Sequence, residues 1–258
     1  MKKRHKFPSL ALGLSVALIV LGFQKTPAVT ETDGFEPVAL IELFTSQGYS
    51  SCPPADKLLA KTIADAGKDG RKVYALSFHV DYWNRLGWTD PFSDHKYSER
   101  QSAYVSKMKL ESAYTPQMVI NGTHELVGSD AKALTQNIGQ VLLTKSLIAF
   151  RKLTTTSGVG KPIHVDYELA GDISNSHVLF ALVNFSETTV VKRGENGGHT
   201  LQSQNVVHQL LEKEAARTGA VDFAPTSVAG AGNMEVVAFV QAQEKFKVVG
   251  ASATKILK

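Results

Sequence analysis

From residue 38 to residue 80 the apolar positions read as strand, helix, strand. Val38 to Phe44 is apolar and rich in strand formers, with one interruption at Glu42. Gly48 breaks the run. Pro53 and Pro54 lack the backbone N–H and suit the first turn of a helix, where donors have no intrahelical partner. Leu58, Leu59 and Ile63 share one face of a helix predicted over 54–66 and ended by Gly67 and Gly70. Residues 72–80 are apolar at successive positions, as in a strand buried on both faces. A polar, partly exposed helix is predicted over 93–108. Asn121-Gly122 lies between two strand-like runs and is a strong hairpin signal. Thr115-Pro116 opens the first of those runs. Ser129 is placed to cap a helix from Asp130 to Ser146.

After Phe150 the texture changes. Short alternating runs occur at 163–169, 178–185, 188–192, 234–241 and 246–252, separated by Gly-rich turns. That pattern predicts an all-β half of small-sandwich type. Residues 205–216 fit either a short helix or a strand leading into one. The domain reading is an α/β domain over 36–150 followed by a β-sandwich-like domain over 151–258.

Composition changes this picture at the N-terminus. The 258 residues suffice for one large domain or two ordinary ones. Lys2, Lys3, Arg4 and Lys6 precede an apolar run from Phe7 to Phe23, and Gln24 to Ala28 is polar and small. This is the layout of a signal peptide over 1–28. An uncleaved anchor is the alternative, since about 20 apolar residues span a bilayer. Either reading places the rest of the chain in the periplasm or outside the cell. The same basic cluster inflates the formal charge of +4, so no nucleic-acid partner is inferred. Membrane contact is expected only through this segment if it stays uncleaved.

Cys52 is the one cysteine, so no internal disulfide can form. It stands just before the predicted helix, where the positive end of the dipole favours a thiolate and lowers the pKa. His79 and Asp81 are two apart at the end of the second strand and can face the same way, as a base and its orienter. Trp83 and Trp88 follow, just past the carboxyl end of that strand, the edge where open α/β sheets bind ligands. Glu42 inside a buried strand needs a partner or a raised pKa. No spacing matches a metal motif, and no metal or cofactor is expected.

The stretch Phe44-Thr-Ser-Gln-Gly-Tyr-Ser-Ser-Cys-Pro-Pro-Ala-Asp56 resembles the signature of the DUF1223 family of secreted, thioredoxin-like proteins of unknown function. Arg193-Gly-Glu-Asn196 and Asn205-Val-Val207 extend the resemblance into the second half. The resemblance implies a thioredoxin-like first domain and a cis Thr115–Pro116 bond facing Cys52. Where the family usually has the first cysteine of a C-x-x-C pair, this chain has Tyr49. The implied site is therefore a single-thiol redox site, with Cys52 reactive, Pro116 behind it and His79 as base. Tyr49, Ser51, Asp81, Trp83 and Thr115 would line its cleft. The competing reading is a non-catalytic module that binds an extended peptide or a cell-envelope protein.

Overall fold

Every residue of β1 (Ala39–Thr45) is buried, because both of its faces are covered. Ala39, Ile41 and Leu43 point to one face, where Ala55, Leu59, Leu134 and Ile138 pack on them. Leu40 and Phe44 point to the other, against Leu76, Phe78, Tyr97 and Tyr104. The period of two that sorts side chains along a strand explains the division. The helices that supply these contacts are α1 (Pro53–Lys68), α2 (His95–Met108) and α3 (Ala131–Val141). β2 (Val73–His79) lies parallel to β1, and the hairpin β3 (Gln117–Ile120) and β4 (His124–Val127) continues the sheet antiparallel on the other side.

This computed structural model describes residues 1, 34–158, 160–225 and 233–256. Met1 apart, the expected signal peptide lies outside the described residues. Among the described residues no helix is long and apolar enough to cross a membrane.

The second half is almost wholly sheet: β5 (Ile148–Thr156), β6 (Ile163–Gly171), β7 (Ser176–Val190), β8 (Thr200–Glu214), β9 (Thr218–Phe223), β10 (Met234–Ala242) and β11 (Val248–Lys255). Residues 205–216, which fitted a helix or a strand, lie mostly in β8. Its long antiparallel ladder with β7 satisfies the backbone, and that tertiary pairing overrides local preference. The runs at 178–185 and 188–192 are one strand, since the ladder carries through the polar Ser186 and Glu187. The helix expected to reach residue 146 stops at Val141, and Ser146 instead bridges to Phe35. Tyr97 and Tyr104, on a helix expected to be partly exposed, are buried under the sheet.

The two halves share one sheet. Its order is β11-β10-β7-β8-β2-β1-β3-β4, and the junction is a parallel pairing of Ser77 with Val206. The boundary expected near residue 150 therefore falls inside a single compact unit of the described residues. A smaller sheet, β5-β6-β9, encloses a second core with β7, β10 and β11, where Val165, Tyr167 and Phe223 meet Phe180, Leu182 and Val236. The architecture is mixed α/β, mostly sheet with three α-helices among the described residues.

Glu42 is explained by this packing. Arg100 of α2 grips its carboxylate with two hydrogen bonds, Nε at 2.6 Å and Nη2 at 3.0 Å, and the Tyr104 hydroxyl donates at 2.5 Å. Gln241 of β10 donates to the same hydroxyl at 2.8 Å. A buried charge is tolerated only when paired and hydrogen-bonded in this way.

Candidate functional site

The loop between β1 and α1, residues 46–52, crosses the carboxyl ends of β1 and β2. Cys52 occupies the N-cap position of α1, and Pro53 and Pro54 form the first turn. Its side chain is fully buried and makes no cap hydrogen bond. Burial, and then the neighbouring Asp56 carboxylate, push the thiol up to about 11. The Thr115 and Thr45 hydroxyls and the backbone at Ser46 oppose that shift and lose. The expectation of a lowered thiol pKa is thus corrected. Desolvation of the thiolate outweighs what the helix end contributes.

Asp56 lies one turn beyond Cys52 and faces the same way. One of its oxygens accepts from the Thr45 hydroxyl at 3.2 Å, and Oδ1 has no hydrogen-bond partner among the described residues. Burial raises its pKa to about 7, although the nearby His79 pulls it down. His79 pairs through Nδ1 with Asp90 Oδ2 at 2.7 Å, both side chains being buried. Burial works against its cation, but the charge and hydrogen bond of Asp90, with Asp56 behind them, raise its pKa. Asp90 also accepts from the N–H groups of Gln47 and Phe92 and is held below the usual carboxylate range despite burial.

The partner expected for His79 was Asp81, and the structure separates them. Asp81 turns away to accept from the Ser98 hydroxyl and to pair with His95, on the solvent side of α2. Strand alternation holds only while the strand continues, and β2 ends at His79. Asp90 takes the place instead, brought in by the tight 84–93 loop, where Asn84 bonds both the Asp90 N–H and Ser93.

Above Cys52 sit aromatic rings. Tyr49 stacks on Trp83, with centroids 4.1 Å apart and planes within 6°. The Trp83 indole N–H donates to the Thr115 hydroxyl at 2.6 Å, and Arg85 lies over the same indole. Tyr82 tilts against Trp83 and donates to Gln101. The Thr115–Pro116 bond is cis, as the resemblance implied, and Pro116 is buried. Tyr49, Trp83, Thr115 and Cys52 are thus brought together, whereas Ser51 stays exposed. No backbone hydrogen bond to Thr115 is formed among the described residues.

The second half completes the loop. Glu195 accepts from both the N–H and the hydroxyl of Ser50, and Asn196 donates to the carbonyls of Gln47 and Tyr49. Gly194, at φ +78°, lies against Gly48 and Trp88; a Cβ there would come within 3.1 Å of the Trp88 Cβ. Asp56, Asp90, Glu195 and Asn196 were not singled out from sequence as site residues. Asp56 closes the quoted motif and Glu195 and Asn196 form part of Arg193-Gly-Glu-Asn196, so a signal was present for three of them.

The family model described as "Protein of unknown function (DUF1223)" matches residues 40–241. Among solved structures, the chain is similar to protein AGR_C_4864 from Agrobacterium tumefaciens, at 27% identity and a TM-score of 0.64, over 84% of this chain and 94% of that one. A domain of the outer membrane lipoprotein Omp28 from Porphyromonas gingivalis matches at 20% identity and a TM-score of 0.25, over 43% of this chain and 88% of that one. No curated protein matches the chain.

Proposed function

Because the chain belongs to the DUF1223 family, whose function is unknown, we propose its role from the site itself: an exported, thioredoxin-like binding module for an extended peptide segment of a cell-envelope partner. The observation that carries this reading is the state of Cys52. The thiol is fully buried and shifted up to about 11, and the position three residues earlier is Tyr49. A thiolate is the reactive form of cysteine, and this one is scarce at neutral pH. The face above it offers stacked aromatic rings, which suit burial of a side chain of an extended peptide.

A peptide-display selection against the full chain supplies the ligand for the test. Trp83→Ala should weaken the selected peptide by about tenfold or more, as an aromatic anchor would. Cys52→Ser should leave affinity within about twofold. Loss of binding in Cys52→Ser, or alkylation of the native thiol at pH 7 as fast as in denatured protein, would overturn the reading.

The single-thiol redox reading has one observation in its favour. Asp56 is a buried carboxylate of pKa about 7 one turn from the thiol, with an oxygen free to take its proton. It predicts the opposite outcome of the same alkylation experiment.

A further inference from the structure

At the end of β1 away from Cys52, three segments meet around a cleft of about 220 Å³. The first is the chain leaving α3, residues 140–147. The second is the turn between β3 and β4, with Asn121, Thr123 and His124. The third is Lys247 with the start of β11, Val248 and Val249. Backbone bonds lock the three together. The Val248 N–H donates to the Asn121 carbonyl at 3.0 Å, and the Leu147 N–H to the Val249 carbonyl at 2.9 Å. The Asn121 side chain bonds the Leu40 N–H and the Val38 carbonyl, which fixes the turn on β1. The cleft is therefore preformed, as sites for small molecules usually are.

Its floor is apolar and buried, formed by Val38, Val248 and Val249. Its rim is polar and open to solvent. Gln140, Thr144 and Lys145 stand on one side, Thr123 on the second and Lys247 on the third, all exposed. Half-buried His124 adds an imidazole whose Nδ1 meets the Thr123 hydroxyl at 3.0 Å. The side chains of Gln140, Thr144, Lys145 and Lys247 have no hydrogen-bond or ion-pair partner among the described residues. No carboxylate lines the cleft among those residues. Glu36 pairs with Lys72, Glu125 accepts from Tyr114 and Gln117, and Glu244 borders a neighbouring groove with Lys107 and Lys245. A lysine just past a helix often serves the last carbonyls. Here the carbonyls of Ile138, Gln140 and Val141 already accept from the N–H groups of Leu142, Leu143 and Thr144, so Lys145 is not spent on the helix end.

Two ammonium groups on separate walls, with hydroxyl and amide donors beside them, suit an anion that offers oxygens in several directions. A phosphate group has that shape, and lysine binds it as a point charge. The volume falls below the ~300–1,000 Å³ of sites for drug-sized molecules, so the ligand is small. We propose that this cleft binds the phosphate ester of a short polyol, with Lys145 and Lys247 on the phosphate and Gln140 and Thr144 on the hydroxyls. Leu147 at the rim is 57% exposed and Leu143 in the same segment 86%, so the same group fits either free or as the headgroup of a lipid. The site lies at the opposite end of β1 from the aromatic face over Cys52 and does not depend on the reading of that face.

The probe is glycerol phosphate, with glycerol as its uncharged counterpart, both titrated against the full chain and read by amide chemical shifts. Glycerol phosphate should bind at least about tenfold more tightly than glycerol, and added salt should weaken it. The amides that move should be those of 144–147 and 247–249, a readout that needs no variant to fold. Lys145→Gln combined with Lys247→Gln should weaken glycerol phosphate by about tenfold at an unchanged melting temperature, since both side chains are exposed. A second arm adds vesicles of phosphatidylcholine, with or without phosphatidylglycerol, and follows hydrogen exchange over 140–147. Protection that requires phosphatidylglycerol assigns the group to a lipid, and binding of glycerol phosphate without that protection assigns it to a free ester. Equal affinity for glycerol and its phosphate, shifts that fall elsewhere, or an undiminished affinity in the double variant would overturn the proposal. Absence of both glycerol phosphate binding and lipid-dependent protection would overturn it too.

Discussion

One carboxylate oxygen of Glu195 accepts both the N–H of Ser50, at 2.9 Å, and its hydroxyl, at 2.7 Å, across 145 residues of chain. The loop that carries Cys52 is thereby tied to the arm between β7 and β8. Both of its hydrogen bonds hold the Glu195 carboxylate below the usual range. Glu195→Ala should leave the fold intact and loosen this tie. Hydrogen exchange at the Ser50 amide, followed by mass spectrometry, should quicken in the variant while the amides of β1 keep their protection. Unchanged exchange at Ser50 would mean that Asn196 holds the loop alone.

The pH dependence of stability should carry the mark of Asp56. Its folded pKa, about 7, lies above its ordinary value of 3.8, so the folded state holds a proton that the unfolded chain releases. Its contribution is therefore fully present below about pH 4 and is lost as pH rises through 7. Asp56→Asn should be more stable than the parent at pH 8, by on the order of a few kcal/mol, and the gain should shrink towards pH 4. Urea unfolding at the two pH values measures it. A gain of equal size at both would show that Asp56 is not protonated in the folded state at pH 4 to 7.

Native Cys52 should resist iodoacetamide at pH 8, and its reaction rate should still be rising at pH 10. Unfolding in guanidinium should restore the ordinary thiol profile, with a midpoint near about 8.5. A native midpoint at or below that value would contradict the burial described above.

Removing one member of the Glu42–Arg100 pair should cost far more than a surface ion pair. Glu42→Ala leaves a guanidinium that is 9% exposed without its carboxylate. A loss of roughly 3–5 kcal/mol is expected, read as a fall in the denaturant midpoint at unchanged slope. Glu42→Gln keeps the volume and should lose somewhat less.

Gly122 should not tolerate a side chain. It sits at φ +69°, and a Cβ there would lie 1.9 Å from the Phe246 carbonyl oxygen. Asn121 beside it bonds Leu40 N–H and the Val38 carbonyl, which pins the turn to β1. Gly122→Ala should therefore cost roughly 2 kcal/mol or more, measured by thermal or chemical unfolding.

What the chain alone determined was local. The apolar run around Glu42, the prolines that open α1 and the Asn121-Gly122 turn each specify backbone within a few residues, and those elements stand where they were expected. The Arg193-Gly-Glu-Asn196 stretch is legible as a motif, but nothing in its spacing tells that it bonds a loop 145 residues earlier. Tertiary structure decided the rest. It joined the two halves at Ser77 and Val206, gave His79 to Asp90 in place of Asp81, and reversed the shift expected for the Cys52 thiol. Strand period and turn geometry follow from short-range sterics. Pairing across a sheet and the loss of water around a buried group depend on which distant surfaces meet, and only the folded chain specifies that.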